Sequence, residues 1–201
     1  MVRKFLDNCR KPKGFIGRML VSGMNNGHAN VGKWGLSFLK IKKDAKALDI
    51  GCGGGATISR LLEICSLGTV YGIDYSKDSV KVSRKKNAAA LGKRCEIIQG
   101  SVSSLPYANE SFDAVTAFET VYFWPDIAND FAKVYRVLKP GGKFLVCNEM
   151  CDPSDTTWSG KIDGMTIYSP KEIEKLLISN GFSIEYSENK KTKWVCVVAQ
   201  K

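Results

Sequence analysis

The chain has 201 residues, 30 Lys and Arg against 20 Asp and Glu, and a formal net charge of +10. That length gives one domain with a substantial core. Nine of the ten net charges belong to residues 1–46 and the rest of the chain is close to neutral, which argues against a nucleic-acid platform spread over the whole fold. No window approaches the roughly 18 apolar residues of a membrane span and the start lacks an apolar leader, so a cytoplasmic protein is expected. Seven cysteines occur without a CxxC pair. They read as buried thiols in a reducing compartment rather than disulfides or zinc ligands, and no metal is expected.

Residues 1–44 read as a basic helical extension. Phe15, Ile16, Met19 and Leu20 share one side of a helical wheel among Arg10, Lys11, Lys13 and Arg18. Gly14 and Gly17 weaken that helix, Gly23-Met24-Asn25-Asn26-Gly27 breaks it, and a second short helix is expected over 33–39. This extension has three readings: a solvated lid, a site for an anionic acceptor, or a surface touching lipid headgroups or RNA.

From residue 45 to 201 strands and helices alternate, the pattern of an α/β domain with a parallel sheet wrapped on both faces. Strands are expected at 45–50, 69–74, 95–99, 112–118 and 143–149. Ile58, Leu61, Leu62 and Cys65 mark one helix, closed by Gly68; Ser76 caps another that runs to about Leu91. Ile127, Phe131, Val134 and Leu138 mark a helix that Pro140-Gly141-Gly142 stops. A polar connection over 150–168 follows. Then Ser169-Pro170-Lys171-Glu172 is a capping box with proline at the first helical position, and Gly181 ends that helix. Strands at 183–187 and 193–199 form a closing hairpin with Asn189-Lys190 near its turn.

The segment Ala47-Leu48-Asp49-Ile50-Gly51-Cys52-Gly53-Gly54-Gly55 runs from an apolar strand into a glycine loop before a helix. Glycines let a ligand approach the backbone, and the free N–H groups of the helix face the same spot. Gly51-x-Gly53-x-x-Ala56 satisfies the relaxed dinucleotide fingerprint, with Asp74 following Gly51 by 23 residues. The wider set of motifs resembles class I S-adenosylmethionine-dependent methyltransferases, in the small-molecule branch of the quinone-biosynthesis type. Asp49-x-Gly51-x-Gly53-Gly54 is similar to that family's first motif, and Val70-Tyr71-Gly72-Ile73-Asp74 to its second strand. Leu105-Pro106 with Ser111-Phe112-Asp113-Ala114-Val115 matches the fourth strand and its approach, and Arg136-Val137-Leu138-Lys139-Pro140-Gly141-Gly142-Lys143 the turn into the fifth.

The resemblance implies a doubly wound, Rossmann-like sheet of seven strands, mostly parallel with one antiparallel strand in the closing hairpin. It implies S-adenosyl-L-methionine as cofactor and S-adenosyl-L-homocysteine as product. Asp74 is then the ribose acid and Tyr75 lies against adenine. Gly51, Cys52 and Gly53 line the ribose and methionyl part through their backbone, and Asp49 answers the methionyl ammonium. The family's usual Gly-Asp pair is Gly100-Ser101 here, leaving Ser101 and the Val102 N–H for adenine; Phe118 is counted among the cofactor contacts.

Methyl transfer from a sulfonium needs chiefly alignment, with a base only where the acceptor keeps its proton. Glu119 is an acid at an apolar strand end. Tyr122 and Trp124 can stack on an acceptor or face the sulfonium, and Tyr122-Phe123 stands where many relatives carry two histidines. His28, the one histidine, sits in the loop before the fold proper and is a candidate base or acceptor contact. Glu119, Tyr122 and His28 are therefore the candidate catalytic residues, acting on a small-molecule acceptor. A nucleic-acid methyltransferase is the rival reading, although the segment after the fourth strand lacks an Asn/Asp-Pro-Pro-Tyr/Phe motif and no Pro-Cys dipeptide occurs. A non-catalytic cofactor-binding module is another, given Ser101 and the missing histidine pair.

Overall fold

A computed structural model describes Gly14, Gly17, residues 28–189 and residues 194–201. Of the basic amphipathic helix only Gly14 and Gly17 are described, both helical; its Phe15, Ile16, Met19 and Leu20 and the Lys190 part of the hairpin turn lie outside the described residues.

Among the described residues, seven strands form one sheet in the order β3-β2-β1-β4-β5-β7-β6. They are β1 (Lys46–Ile50), β2 (Thr69–Asp74), β3 (Cys95–Gln99), β4 (Phe112–Phe118), β5 (Leu138–Asn148), β6 (Ser183–Asn189) and β7 (Val195–Gln200). Strand β7 runs antiparallel to both its neighbours and every other pairing is parallel. The order reverses at β1, where β2 lies on one side and β4 on the other, the place where an open α/β sheet leaves a crevice at its carboxyl edge.

Period-two alternation divides the core. Leu48, Val115, Phe144 and Val197 face α4 (Ile127–Val137) and α6 (Pro170–Ser179) on one side of the sheet. Ala47, Ala114, Leu145 and Val198 face the side of α1 (Ala29–Leu36), α2 (Ala56–Ile64) and α3 (Lys77–Lys86). Helix α6 begins on the expected capping box, with Ser169 and Glu172 bonded reciprocally and Pro170 at its start.

Four parts of the chain differ most from the sequence reading. Helix α1 starts at Ala29 rather than near residue 33, and Gly35 lets it lie flat on the sheet. A Cβ there would stand 2.7 Å from both the Cys147 Sγ and the Phe118 ring. The Cys147 and Cys196 thiols lie directly beneath, facing the Val31 and Gly35 carbonyls at 3.8 and 3.9 Å. Helix α3 stops at Lys86, not Leu91, because the Asn87 amide turns back to the Ser83 and Gly55 carbonyls. Third, α4 ends at Val137 and Pro140-Gly141-Gly142 is carried within β5, where Leu138 pairs with Phe112 before the register shifts. Fourth, the 150–168 connection is not simply polar. It holds a short helix α5 (Thr156–Ser159) and packs Ile162, Met165 and Ile167 onto Tyr122, with the Thr166 N–H donating to the Tyr122 carbonyl at 2.9 Å.

Candidate functional site

The glycine loop after β1 is pinned to β2. The Gly51 and Cys52 N–H groups both donate to the Ile73 carbonyl, at 2.8 and 3.2 Å. The Gly53 N–H donates to one carboxylate oxygen of Asp74 at 2.9 Å, and the Ser76 N–H to the other at 2.8 Å. Asp74 is thus fixed at the strand end by one N–H per oxygen, and each oxygen keeps further lone-pair capacity. Burial pushes its pKa up, and the same two N–H bonds pull it back. Gly51 has φ +72, and a Cβ on it would stand 2.3 Å from the Thr120 Oγ1, so the loop and the segment after β4 touch backbone to side chain.

A cavity of about 120 Å³ opens at this edge, between the ends of β1, β2 and β3 and the segment 120–125. Its walls include Gly51, Asp74, Tyr75, Ser101 and Val102, five of the residues expected to hold the cofactor. Ile50, Ile73, Gly100, Thr120, Phe123, Trp124 and Pro125 complete it. Apolar walls around one anchored carboxylate suit a nucleoside, which offers two flat faces and a pair of ribose hydroxyls. The Ser101 hydroxyl accepts from the Ser103 N–H at 3.3 Å, capping a single turn of tight helix, and keeps its own proton to donate.

The other expected cofactor residues lie around the cavity rather than on its wall. Asp49 is buried beneath the loop, where its carboxylate accepts from the Thr116 hydroxyl at 2.7 Å; burial raises its pKa to about 7. The Cys52 side chain turns inward, with Sγ 3.9 Å from the Ser83 Oγ, leaving only its backbone at the loop. Gly53 supports Asp74. The Phe118 ring packs against Gly35 of α1. Trp124 stacks on Phe144 and meets Phe131 edge-on, so this wall residue is also core.

One step beyond Thr120, the three candidate catalytic residues converge. The Tyr122 hydroxyl donates to Glu119 Oε2 at 2.9 Å, and His28 Nδ1 lies 3.8 Å from the same oxygen. Glu149, just past β5, is a fourth member that the sequence reading missed: its Oε2 is 3.2 Å from His28 Nδ1 and its backbone N–H donates to Glu119 Oε1. Glu119 has a side chain only 6% exposed and a left-handed backbone with φ +55. Burial and the nearby Glu149 charge push its pKa up to about 8, against the Tyr122 hydrogen bond. The strand-end position of Glu149 was the available signal, since a parallel sheet gathers its carboxyl ends on one edge.

A family profile described as a methyltransferase domain matches residues 48–146. A demethylmenaquinone methyltransferase of Bacillus mycoides (strain KBAB4) is 34% identical over 134 residues, covering 66% of this chain and 55% of that protein. The chain spans about half the length of the curated relatives it matches. Among solved structures, a Haloferax volcanii complex of the Trm112 methyltransferase activator with a methyltransferase superposes with TM-score 0.81 at 19% identity, over 90% of this chain and 92% of that one. A SAM-dependent methyltransferase from Aquifex aeolicus superposes with TM-score 0.76 at 17% identity, over 91% and 97%. These two structures share the fold. No helix among the described residues is long and apolar enough to cross a membrane.

Proposed function

We propose that this chain, which belongs to the class I S-adenosylmethionine-dependent methyltransferase family, moves the cofactor's methyl group onto a small, ring-bearing acceptor at the carboxyl edge of β4 and β5. The cofactor supplies a methyl group already activated on a sulfonium, so the residues of the chain have to bind, orient and exclude water. In this reading Asp74 accepts the ribose hydroxyls with the lone pairs that the Gly53 and Ser76 N–H groups leave. Tyr75 lies along the adenine face, and Ser101 with the Val102 N–H meets its edge. Asp49 answers the methionyl ammonium from below the glycine loop.

On the acceptor side His28, Glu119 and Tyr122 hold the polar atom of the acceptor, and Ile162, Met165 and Ile167 exclude water beside them. The relatives carry demethylmenaquinone in their name. An apolar wall next to a polar cluster agrees with an acceptor of that kind. The observation that carries the reading is adjacency: Thr120 lines the nucleoside cavity while its neighbour Glu119 anchors the polar cluster.

Titration calorimetry with S-adenosylhomocysteine on the wild type and on Asp74→Ala tests it, with reduced nicotinamide as control. Charge-assisted hydrogen bonds contribute about 1.5–3 kcal/mol each, so losing two predicts at least about a hundredfold weaker binding. Equal binding by both proteins, or preference for the nicotinamide, refutes the assignment.

A further inference from the structure

His28 and Glu149 stand at ion-pair distance with no hydrogen bond between them. His28 Nδ1 is shielded from water and has no hydrogen-bond partner among the described residues, although Glu149 Oε2 stands 3.2 Å away. One atom each from His28, Glu119 and Glu149 lies within 4.8 Å of the other two. Two donors coordinating one ion at about 2.1 Å stand roughly 3.0–3.4 Å apart, the separation of His28 Nδ1 from Glu149 Oε2, while Glu119 Oε2 at 3.8 Å from the same nitrogen has a few tenths of an ångström to close. The Glu119 carboxylate is held in place from behind by the Tyr122 hydroxyl and the Glu149 N–H, the outer support that ligating carboxylates carry at built sites. Each of the three comes from a different element: the residue before α1, the residue after β4 and the residue after β5.

We propose that His28, Glu119 and Glu149 form a site for one divalent first-row transition ion, whose open positions take an oxygen or nitrogen donor of the methyl acceptor. An imidazole with two carboxylates favours ions such as Mn²⁺, Co²⁺ or Zn²⁺ over Mg²⁺ and Ca²⁺, which prefer oxygen alone. Three protein ligands leave coordination positions free, as catalytic rather than structural sites do. The ion neutralises the paired carboxylates, and coordination beside Thr120 sets the acceptor's donor atom against the cofactor cavity. This expectation departs from the sequence reading, which contained no cluster with metal-ligand spacing. The ligands are 28, 119 and 149 in the chain and meet only once α1 is seated. The proposed role at the acceptor rests on the methyltransferase reading; the site itself does not.

The test titrates the full chain with Mn²⁺ and follows the free-ion electron paramagnetic resonance signal, with Co²⁺ absorption as a second probe. Glu149→Gln and His28→Ala are the variants of choice, because both side chains are about one-third exposed and Glu119 is not. One ion per chain, bound at least about tenfold more weakly in both variants, is expected. No stoichiometric binding of either ion, or binding that neither variant weakens, overturns the proposal. Calorimetry with S-adenosylhomocysteine on the same proteins separates the two claims. Ion binding without cofactor binding keeps the site and overturns its acceptor role; cofactor binding without ion binding overturns the site and keeps the methyltransferase reading.

Discussion

Asp49 gives the most exacting prediction, because its carboxylate is buried, bonded to Thr116 and shifted to a pKa of about 7. If it answers the methionyl ammonium, cofactor binding requires its ionised form. That fraction is about 0.1 at pH 6 and about 0.9 at pH 8, so affinity for S-adenosylhomocysteine should rise about tenfold over those two units and level off above. Binding should release a proton below pH 7, seen by calorimetry in buffers of different ionisation enthalpy. Asp49→Asn, which keeps an acceptor for the Thr116 hydroxyl, should bind more weakly and with little pH dependence. The same group makes a stability prediction of the opposite slope. A carboxyl whose folded pKa lies above its ordinary 3.8 leaves the folded chain holding the extra proton between the two values. Stability of the unliganded chain therefore falls as pH rises from about 4 to about 7, by roughly 4 kcal/mol from this group, and Asp49→Asn flattens that fall. Affinity that stays constant between pH 6 and 8 in the wild type would refute the pairing with the ammonium.

Further outcomes follow from the same geometry. Gly51→Ala places a methyl against Thr120 on a left-handed backbone and should lower stability by about 2–4 kcal/mol in urea unfolding; Thr120→Ala in the same chain should restore part but not all of it. Thr116→Val leaves the buried Asp49 without its hydroxyl donor, costing about 1–3 kcal/mol and moving the midpoint of pH-dependent cofactor binding upward; an unmoved midpoint counts against the Thr116 bond. Phe131→Ala empties a fully buried position between Trp124 and Phe144 and should cost about 3–5 kcal/mol in thermal or urea unfolding. It should also weaken S-adenosylhomocysteine binding, since Trp124 then loses its backing while still forming the cavity wall.

The proposed cofactor half of the site was legible because each part is local. Asp49, Gly51, Asp74 and Ser101 all stand at or just past the carboxyl end of a strand whose apolar run is plain in the sequence. The parallel pairing follows from the alternation of strands and helices, whereas the order of the strands is not written in it. The acceptor half was legible only in pieces. His28, Glu119 and Tyr122 could each be singled out, but their convergence depends on α1 lying close over β5, and that depends on the missing side chain of Gly35. Glu149 carried only its place at the end of an expected strand, with no motif around it. Its partner across the cluster is 121 positions earlier in the chain. Helix and strand limits failed where tertiary bonds overrode local preference, as at Asn87 and within Pro140-Gly141-Gly142.

The closeness of α1 to the sheet also makes it a reporter of its own departure. Cys147 and Cys196 are wholly buried, each thiol facing a carbonyl of that one helix. An alkylating reagent reaches them only when the helix lifts, so site-resolved labelling kinetics read the free energy of that local opening directly. Because His28 is the residue on which the helix begins, the same lifting takes apart the cluster beside the cavity. A ligand bridging His28 to Glu149 should therefore slow the labelling of two thiols it never touches.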